Sequence, residues 1–469
     1  MFFRSDPMVS QASDGAARTG LPLWGAEIRA TLALGVPIAG AQLAQTAINT
    51  TDVLMIGQLG TEPLAASVLA FNLYIMTWLF GCGLVQAVMP LAAKARGENN
   101  MREVRRSVRM GLWVVIAYSI PAMVLMWHTE TLLVWVGQDP EVAASSGYYM
   151  RYLQWTLPPS LATIGMRNFV GVMEKAQVVM WATVAGALFN VLADYMLIFG
   201  NFGSPRLELM GAGIASTLTA TCTFLMVVTY TMRQRRLRRF AILGRFWRPD
   251  WPVFLHILKI GWPIGATMLA EVGLFAGSSM MMGWIGTVQL AAHGIAIQCA
   301  SIAFMVPLGF SLAGSIRVGL AHGRRSRAGV ARAGWTTIGL AVGFMMLTAL
   351  FFLNFPELLI GAFTKEGNPN TEAVFATGVS FLAVAAVFQI FDGAQVSAGN
   401  VLRGLSDTRI PMLIALGGYW GIGLTLAYVL AFWAGWGGVG LWWGLASGLA
   451  SVAIAMIWRF RGRERLGLV

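Results

Sequence analysis

A chain of 469 residues that is 57% hydrophobic and only 12% charged, with a mean hydropathy of +0.66, lies far from soluble globular composition, where about 25% of residues are charged. Apolar runs of about 20 residues recur along its length, the signature of transmembrane helices. The net charge of +12 raises nucleic acid as a partner, but the arginines follow the loops too regularly for that, and no nucleic acid is expected.

Lipid offers no water to pair backbone groups, so these runs read as helices; tightly alternating strand patterns are absent from the sequence. Residues 1–24 are polar and small, with no apolar core of a signal peptide, and are expected to form a cytoplasmic tail. Twelve helices follow at about 27–58, 62–92, 103–127, 141–172, 176–200, 209–233, 251–284, 288–320, 329–354, 370–403, 408–434 and 437–460. This divides the chain into an N-lobe at 25–233, a basic linker at 234–250, a C-lobe at 251–460 and a cytoplasmic tail at 461–469.

The first helix carries a polar stripe within an apolar run: Gln42, Gln45, Asn49 and Asp52 fall at i, i+3, i+7 and i+10, on one helical face. The same stretch returns. A shift of 226 positions lays residues 35–70 on 261–296 without a gap, and thirteen of the 36 residues are identical. The identities include Pro37/Pro263, Gly57/Gly283, Gly60/Gly286 and Leu-Ala-Ala at 64–66 and 290–292, while Gln45 becomes Glu271. The predicted fold is all-α and integral to the membrane, with twelve transmembrane helices in two parallel six-helix repeats around a central cavity. Pro37, Pro90, Pro263 and Pro307 sit inside helical runs, where each removes a hydrogen bond and favours a kink.

Basic residues sort by loop. Lys94, Arg96, Arg102, Arg105, Arg106 and Arg109 follow the second helix, and seven arginines from Arg233 to Arg248, Arg245 among them, follow the sixth. Five from Arg317 to Arg332 follow the eighth, and Arg459, Arg461, Arg463 and Arg465 close the chain. The loops after helices 1, 3, 7 and 11 have none, and those after 5 and 9 have one each, Arg206 and Lys365. By the positive-inside rule both termini are expected in the cytoplasm.

Motifs of soluble enzymes are missing: no GxxxxGK[ST], no HExxH, no metal-spaced Cys/His cluster. Gly435, Gly437 and Gly440 form a GxGxxG that joins two helices and reads as a turn; Asn49-Thr50-Thr51 fits a glycosylation sequon inside a helix. Cys82, Cys222 and Cys299 lie in apolar context as core residues. Without a phosphate-binding loop the chain cannot spend ATP, so energy must come from an ion gradient or a partner. No enzyme activity and no cofactor are expected.

The residues that stand out are acids inside helices: Asp52, Asp194, Glu271 and Asp392. Each costs on the order of 3 kcal/mol at bilayer depth, so such groups usually face a cavity and serve a function. Asp194 follows Asn190 at i+4, Asp392 lies between Gln389 and Gln395 at i±3, and Glu271 lies between Thr267 and Ser278. A carboxylate in such a place can exchange a proton; a pair such as Glu271 and Asp392 can equally hold Na+, which takes oxygen ligands. His293 aligns with Ser67 in the repeat and reads as a hydrogen-bonded packing residue; Met280, Met281 and Met282 read chiefly as lipid-facing.

These residues resemble those of the multidrug and toxic compound extrusion (MATE) family, in its NorM-like bacterial branch. The likeness covers about 25–460 and rests on PIAGAQLAQTAINTTDVLMIGQLG, on NVLADYMLIFGNFGSPRLELMGAGIAST, on the Glu271 segment and on FDGAQVSAGNVLRGLSDTRIPM. It implies a six-plus-six helix carrier in a bacterial inner membrane that exports small-molecule drugs, amphiphilic organic cations among them, against Na+ or H+, and that works as a monomer in the lipid bilayer. It carries roles onto Glu271, Asp392, Asp52 and Asp194 as cation-coupling acids and onto Asn190 beside them, while the polar stripes read above place Gln42, Gln45, Asn49, Gln389, Gln395 and Ser278 with Asn190 along the substrate path. Asp194 departs from the NorM-like pattern, which often has Asn there; acid is more typical of the DinF-like branch. One competitor is a lipid-linked saccharide flippase of the same superfamily, which would favour a basic cavity. A major-facilitator carrier would need a different second loop than AKARGENNMRE, and a receptor or scaffold would not need repeated lobes with paired acids.

Overall fold

A computed structural model describes residues 21–242, 244, 246–363 and 371–469. Most of the expected N-terminal tail, Arg245 of the linker and Lys365 of the ninth loop lie outside the described residues. Among the described residues there is no strand, and twelve helical segments cross the molecule. They are α1 (Leu21–Gly57), α2 (Thr61–Gly97), α3 (Met101–Trp127), α4 (Pro140–Leu153 and Leu157–Val172), α5 (Ala176–Phe199) and α6 (Glu208–Arg233). The second repeat supplies α7 (Trp251–Ile285), α8 (Thr287–Gly323), α9 (Arg327–Asn354), α10 (Thr371–Gly404), α11 (Arg409–Trp433) and α12 (Gly437–Arg461). Among the described residues all but α4 are individually long and apolar enough to span a membrane.

The exception has a local cause. The sequence predicts one helix over 141–172, but a 3-10 turn at Gln154–Thr156 divides it. Pro158 and Pro159 have no N–H to return to the carbonyls of Gln154 and Trp155, so the ladder tightens there instead of continuing. Pro90 acts likewise in α2, which is interrupted at Ala87, just after the Gln86 carbonyl that Pro90 cannot serve. Helix α11 widens into π turns at Gly417–Leu424 and Val429–Trp433. Elsewhere the ends are capped by the expected chemistry: the Asn100, Asp139 and Ser326 side chains accept the amides of Glu103 (3.1 Å), Glu141 (2.9 Å) and Gly329 (3.1 Å).

The repeated residues have structural reasons. Gly60 and Gly286 make the corresponding tight turns after the first helix of each repeat at φ of 122° and 157°, which a side chain would resist. Ala66 and Ala292, of the shared Leu-Ala-Ala, are fully buried. Gly435 (φ 73°) and Gly437 (φ 55°) confirm the turn between α11 and α12.

The halves meet through their first two helices, α1 against α8 and α7 against α2. Small residues let the backbones touch, as in other membrane helix pairs. A Cβ on Gly83 would strike the backbone of Gly265, and one on Gly261 the backbone of Leu84. The same contacts recur with the roles exchanged: Gly309 against Ala39, and Gly35 against Phe310. At the arginine-rich end Gly97 of α2 packs on Gly323 of α8. Beside that contact Arg317 of α8 binds Glu27 of α1 through two parallel bonds of 2.8 Å and reaches Glu174, in the turn after α4, at 3.7 Å. Glu174 in turn pairs with Arg96 of α2 at 3.3 Å, and Arg96 donates to the Val172 carbonyl. The linker is tied to α3: Trp113 donates to the Phe246 carbonyl (2.9 Å) and Arg106 to Asp250 (2.7 Å).

Candidate functional site

The stripe on α1 faces inward as its spacing predicts. Gln42, Gln45, Asn49 and Asp52 line a cavity of about 330 Å3 in the first repeat. Helix α2 adds Asn72, Tyr74 and Gln86, α4 adds Tyr149, Arg167 and Asn168, and α6 adds Ser216. Met268, Leu308 and Leu312 of the second repeat close one apolar wall. The volume and the mixed lining fit a small organic molecule, at the low end of the range for such sites.

Asp52 sits near the far end of α1, away from the arginine-rich end. Ser216 donates to its Oδ2 at 3.2 Å, while Oδ1 is buried without a partner. Asn190 and Asp194 of α5 are fully buried and adjoin Asp52. Their i+4 spacing brings both to that side, in polar contact with Asp52 but outside regular hydrogen-bond geometry. Two adjacent carboxylates with unmet oxygens in a dry site are costly when both are charged, so the arrangement favours a shared proton or a bound cation.

The second repeat treats its acids differently. Gln395 of α10 donates to Glu271 of α7 at 3.1 Å and to Asp392 at 3.2 Å, so one amide bridges both. Its oxygen accepts from Tyr419 at 2.8 Å, which the first π segment of α11 delivers. Arg403 of α10 lies in the electrostatic range of Glu271 and donates to Asn400, which donates to Ser311 (3.0 Å). Gln389 is fully buried with both amide atoms unpartnered. Ser278 donates to the Phe275 carbonyl (2.7 Å) and lies 3.4 Å from His293, whose ring packs edge-on against Trp442. Thus Gln389, Gln395 and Ser278 belong to a buried polar cluster of the second repeat, and neither they nor Asn190 of the first line this cavity. Met280 is exposed and Met281 and Met282 are buried; none of the three reaches the cavity. Among the described residues no group of three or more His, Cys, Asp or Glu could hold a metal, and the three cysteines are free.

Sorting basic residues by loop passes over Arg167 and Arg403, which lie inside helical runs. The depth argument applied to the acids would have selected Arg167, whereas Arg403 lies in the last turn of α10. Tyr419 and Ser216 carry no comparable sequence signal, since hydroxyls are common in apolar helices.

A family model described as MatE matches residues 37–196 and again 263–429, starting 226 positions apart, the offset that superposes the first helices. A protein of Rhizobium meliloti named "Probable multidrug resistance protein NorM" is 46% identical over 437 residues, covering 93% of this chain and 94% of that one. One of Brucella suis with the same name is 47% identical over 443 residues, 93% of each chain. The crystal structure of the eukaryotic MATE transporter AtDTX14 superposes with a TM-score of 0.82 at 18% identity, over 95% of this chain and all of that one, a likeness of fold.

Proposed function

The chain belongs to the MatE family of transporters, and from that premise we propose that it is a secondary antiporter exporting amphiphilic small molecules, organic cations among them, in exchange for protons. It is a transporter and not an enzyme. The observation that carries the proton reading is Asp52, a carboxylate that lines the cavity with one oxygen unmet and a second acid, Asp194, beside it. A proton held between the two acids and a cation in the cavity compete for the same negative charge. Each then favours a different conformation, which is the requirement for exchange. The ion pairs of Arg317 tie α1, α8 and the turn after α4 together at the arginine-rich end. Opening that end after protonation has been reversed would reload the cavity from the other side.

A second reading is favoured by Gln395. If its amide turns over, its oxygen joins those of Glu271 and Asp392, and Tyr419 accepts instead of donating. Three oxygens would then surround a hard cation such as Na+. A saccharide flippase is less well supported, because a diphosphate calls for several basic groups and Arg167 is the one basic side chain among the described residues of the cavity wall. The arginine distribution supports an orientation with the termini and the 234–250 linker in the cytoplasm, and we place the carrier in a bacterial inner membrane as a monomer.

The test is drug uptake into inside-out vesicles with proton and sodium gradients imposed separately. Uptake driven by the proton gradient alone is expected; uptake driven only by sodium would transfer the coupling to the second reading, and uptake indifferent to both would sink antiport. In the same vesicles the linker should be cut by added protease, and protection would reverse the orientation.

A further inference from the structure

We propose that Arg167 reads an acidic group on the transported molecule, so that the cavity selects amphiphiles carrying a carboxylate as well as a cationic centre. This deepens the reading of the N-lobe cavity as the drug site and rests on it.

Arg167 projects from the second half of α4 into the cavity wall. One of its nitrogens donates to the Gln42 side chain at 2.8 Å. No carboxylate lies within ion-pair distance of it among the described residues; the ion pairs of the molecule use other arginines. A guanidinium has five N–H donors in a planar fork and never gives up its charge, so a single bond to a neutral amide leaves most of its capacity unused. Holding α4 to α1 would need only a neutral donor. Placing an uncompensated cation at that depth is costly, and the cost is recovered when an anion docks.

The counterpart lies along the same wall. Gln42, which Arg167 touches, and Asp52 are ten positions apart on α1, about 15 Å at 1.5 Å per residue. Gln45 and Asn49 line the interval, and Met268 and Leu312 give it an apolar side. The cavity therefore carries a positive pole and a negative pole with an amphipathic strip between them. A purely cationic guest satisfies Asp52 and leaves Arg167 bare; a guest with a carboxylate at its other end satisfies both, through the bidentate geometry that guanidinium and carboxylate share.

The experiment compares rhodamine B, which has a free carboxylate, with its ethyl ester, which keeps the same cationic ring system. Fluorescence anisotropy on the purified protein in nanodiscs gives both affinities, and vesicle uptake gives both transport rates. The wild type is expected to bind rhodamine B at least about tenfold more tightly than the ester. Arg167→Gln should bring that ratio to about one, and Arg167→Lys, which keeps charge without the fork, should leave it intermediate. A role confined to fastening α4 would alter both dyes alike and leave the ratio in place, which would overturn the proposal. So would a wild-type ratio of one or less. If Arg167→Gln does not purify as a monodisperse protein, the ratio in the wild type and in Arg167→Lys decides alone. Transport of both dyes at equal affinity would refute the role of Arg167 and leave the exporter reading standing; binding of neither would remove both.

Discussion

Each half of the molecule places two carboxylates inside its helices, one buried (Asp194, Asp392) and one partly exposed (Asp52, Glu271), yet their surroundings differ. In the first half Asp52 lines the cavity with Asp194 buried beside it, and the pair takes one regular hydrogen bond, from Ser216. In the second, Glu271 and Asp392 each accept from one amide that Tyr419 fixes in place. A donor that bridges two acids braces them, whereas an acid with an unmet oxygen keeps a demand that a proton or a ligand can meet. On the proposed reading the duplicated unit has specialised, one copy keeping the working site and the other bracing its acids.

The sharpest way to break this comparison is Asp52→Asn, which should insert and fold normally but lower proton-driven efflux by about a hundredfold. Asp194→Asn should cost less, on the order of tenfold, because an amide can still donate to Asp52. Wild-type drug resistance in Asp52→Asn at matched expression would end the assignment of the working site to the first half.

Next come the braced acids. Glu271→Gln and Asp392→Asn should each reduce proton-driven efflux by less than about tenfold, and the double variant should be no worse than either single, since both act through Gln395. Additive losses would mean two independent sites. Loss of a sodium-driven component in either single variant would make the second half the coupling half.

The smallest effect is expected from Tyr419→Phe. It leaves the Gln395 oxygen without its donor, a cost of about 1–3 kcal/mol. A lower thermal midpoint in detergent with efflux nearly unchanged would fit a bracing role; unchanged stability with lost efflux would show that the hydroxyl takes part in transport.

Much of this was legible in the chain. Helix number, the repeat and its offset follow from apolar runs and matched glycines and prolines, because lipid enforces helices and tight turns enforce residue type. The stripe on α1 was legible for the same reason: a 3.6-residue period maps sequence onto one face. What the periodicity could not supply was which faces meet. Gln389, Gln395 and Asp392 share a stripe as regular as that of α1, but theirs is sealed by Tyr419 from a π turn, a geometry without a sequence signature of its own. The ion pairs of Arg317 join residues up to 290 positions apart, Glu27 to Arg317, and no local pattern announces such a pairing.

The seam between the halves obeys the rule of an isologous dimer, in which every contact occurs twice with the partners exchanged and a residue on the axis meets its own copy. Gly83 with Gly265 and Gly309 with Ala39 are one contact seen twice, and Gly97 with Gly323 is the self-contact on the axis. The protein is therefore constructed as a homodimer whose protomers have been joined end to end by the linker. Fusion frees each copy of a contact to change alone. Ala39, where its counterpart is Gly265, is one methyl group of such drift, tolerated on one side of the axis only. Identity has persisted at the axis, in Gly97 and Gly323, and has been lost around the acids, where Gln45 corresponds to Glu271.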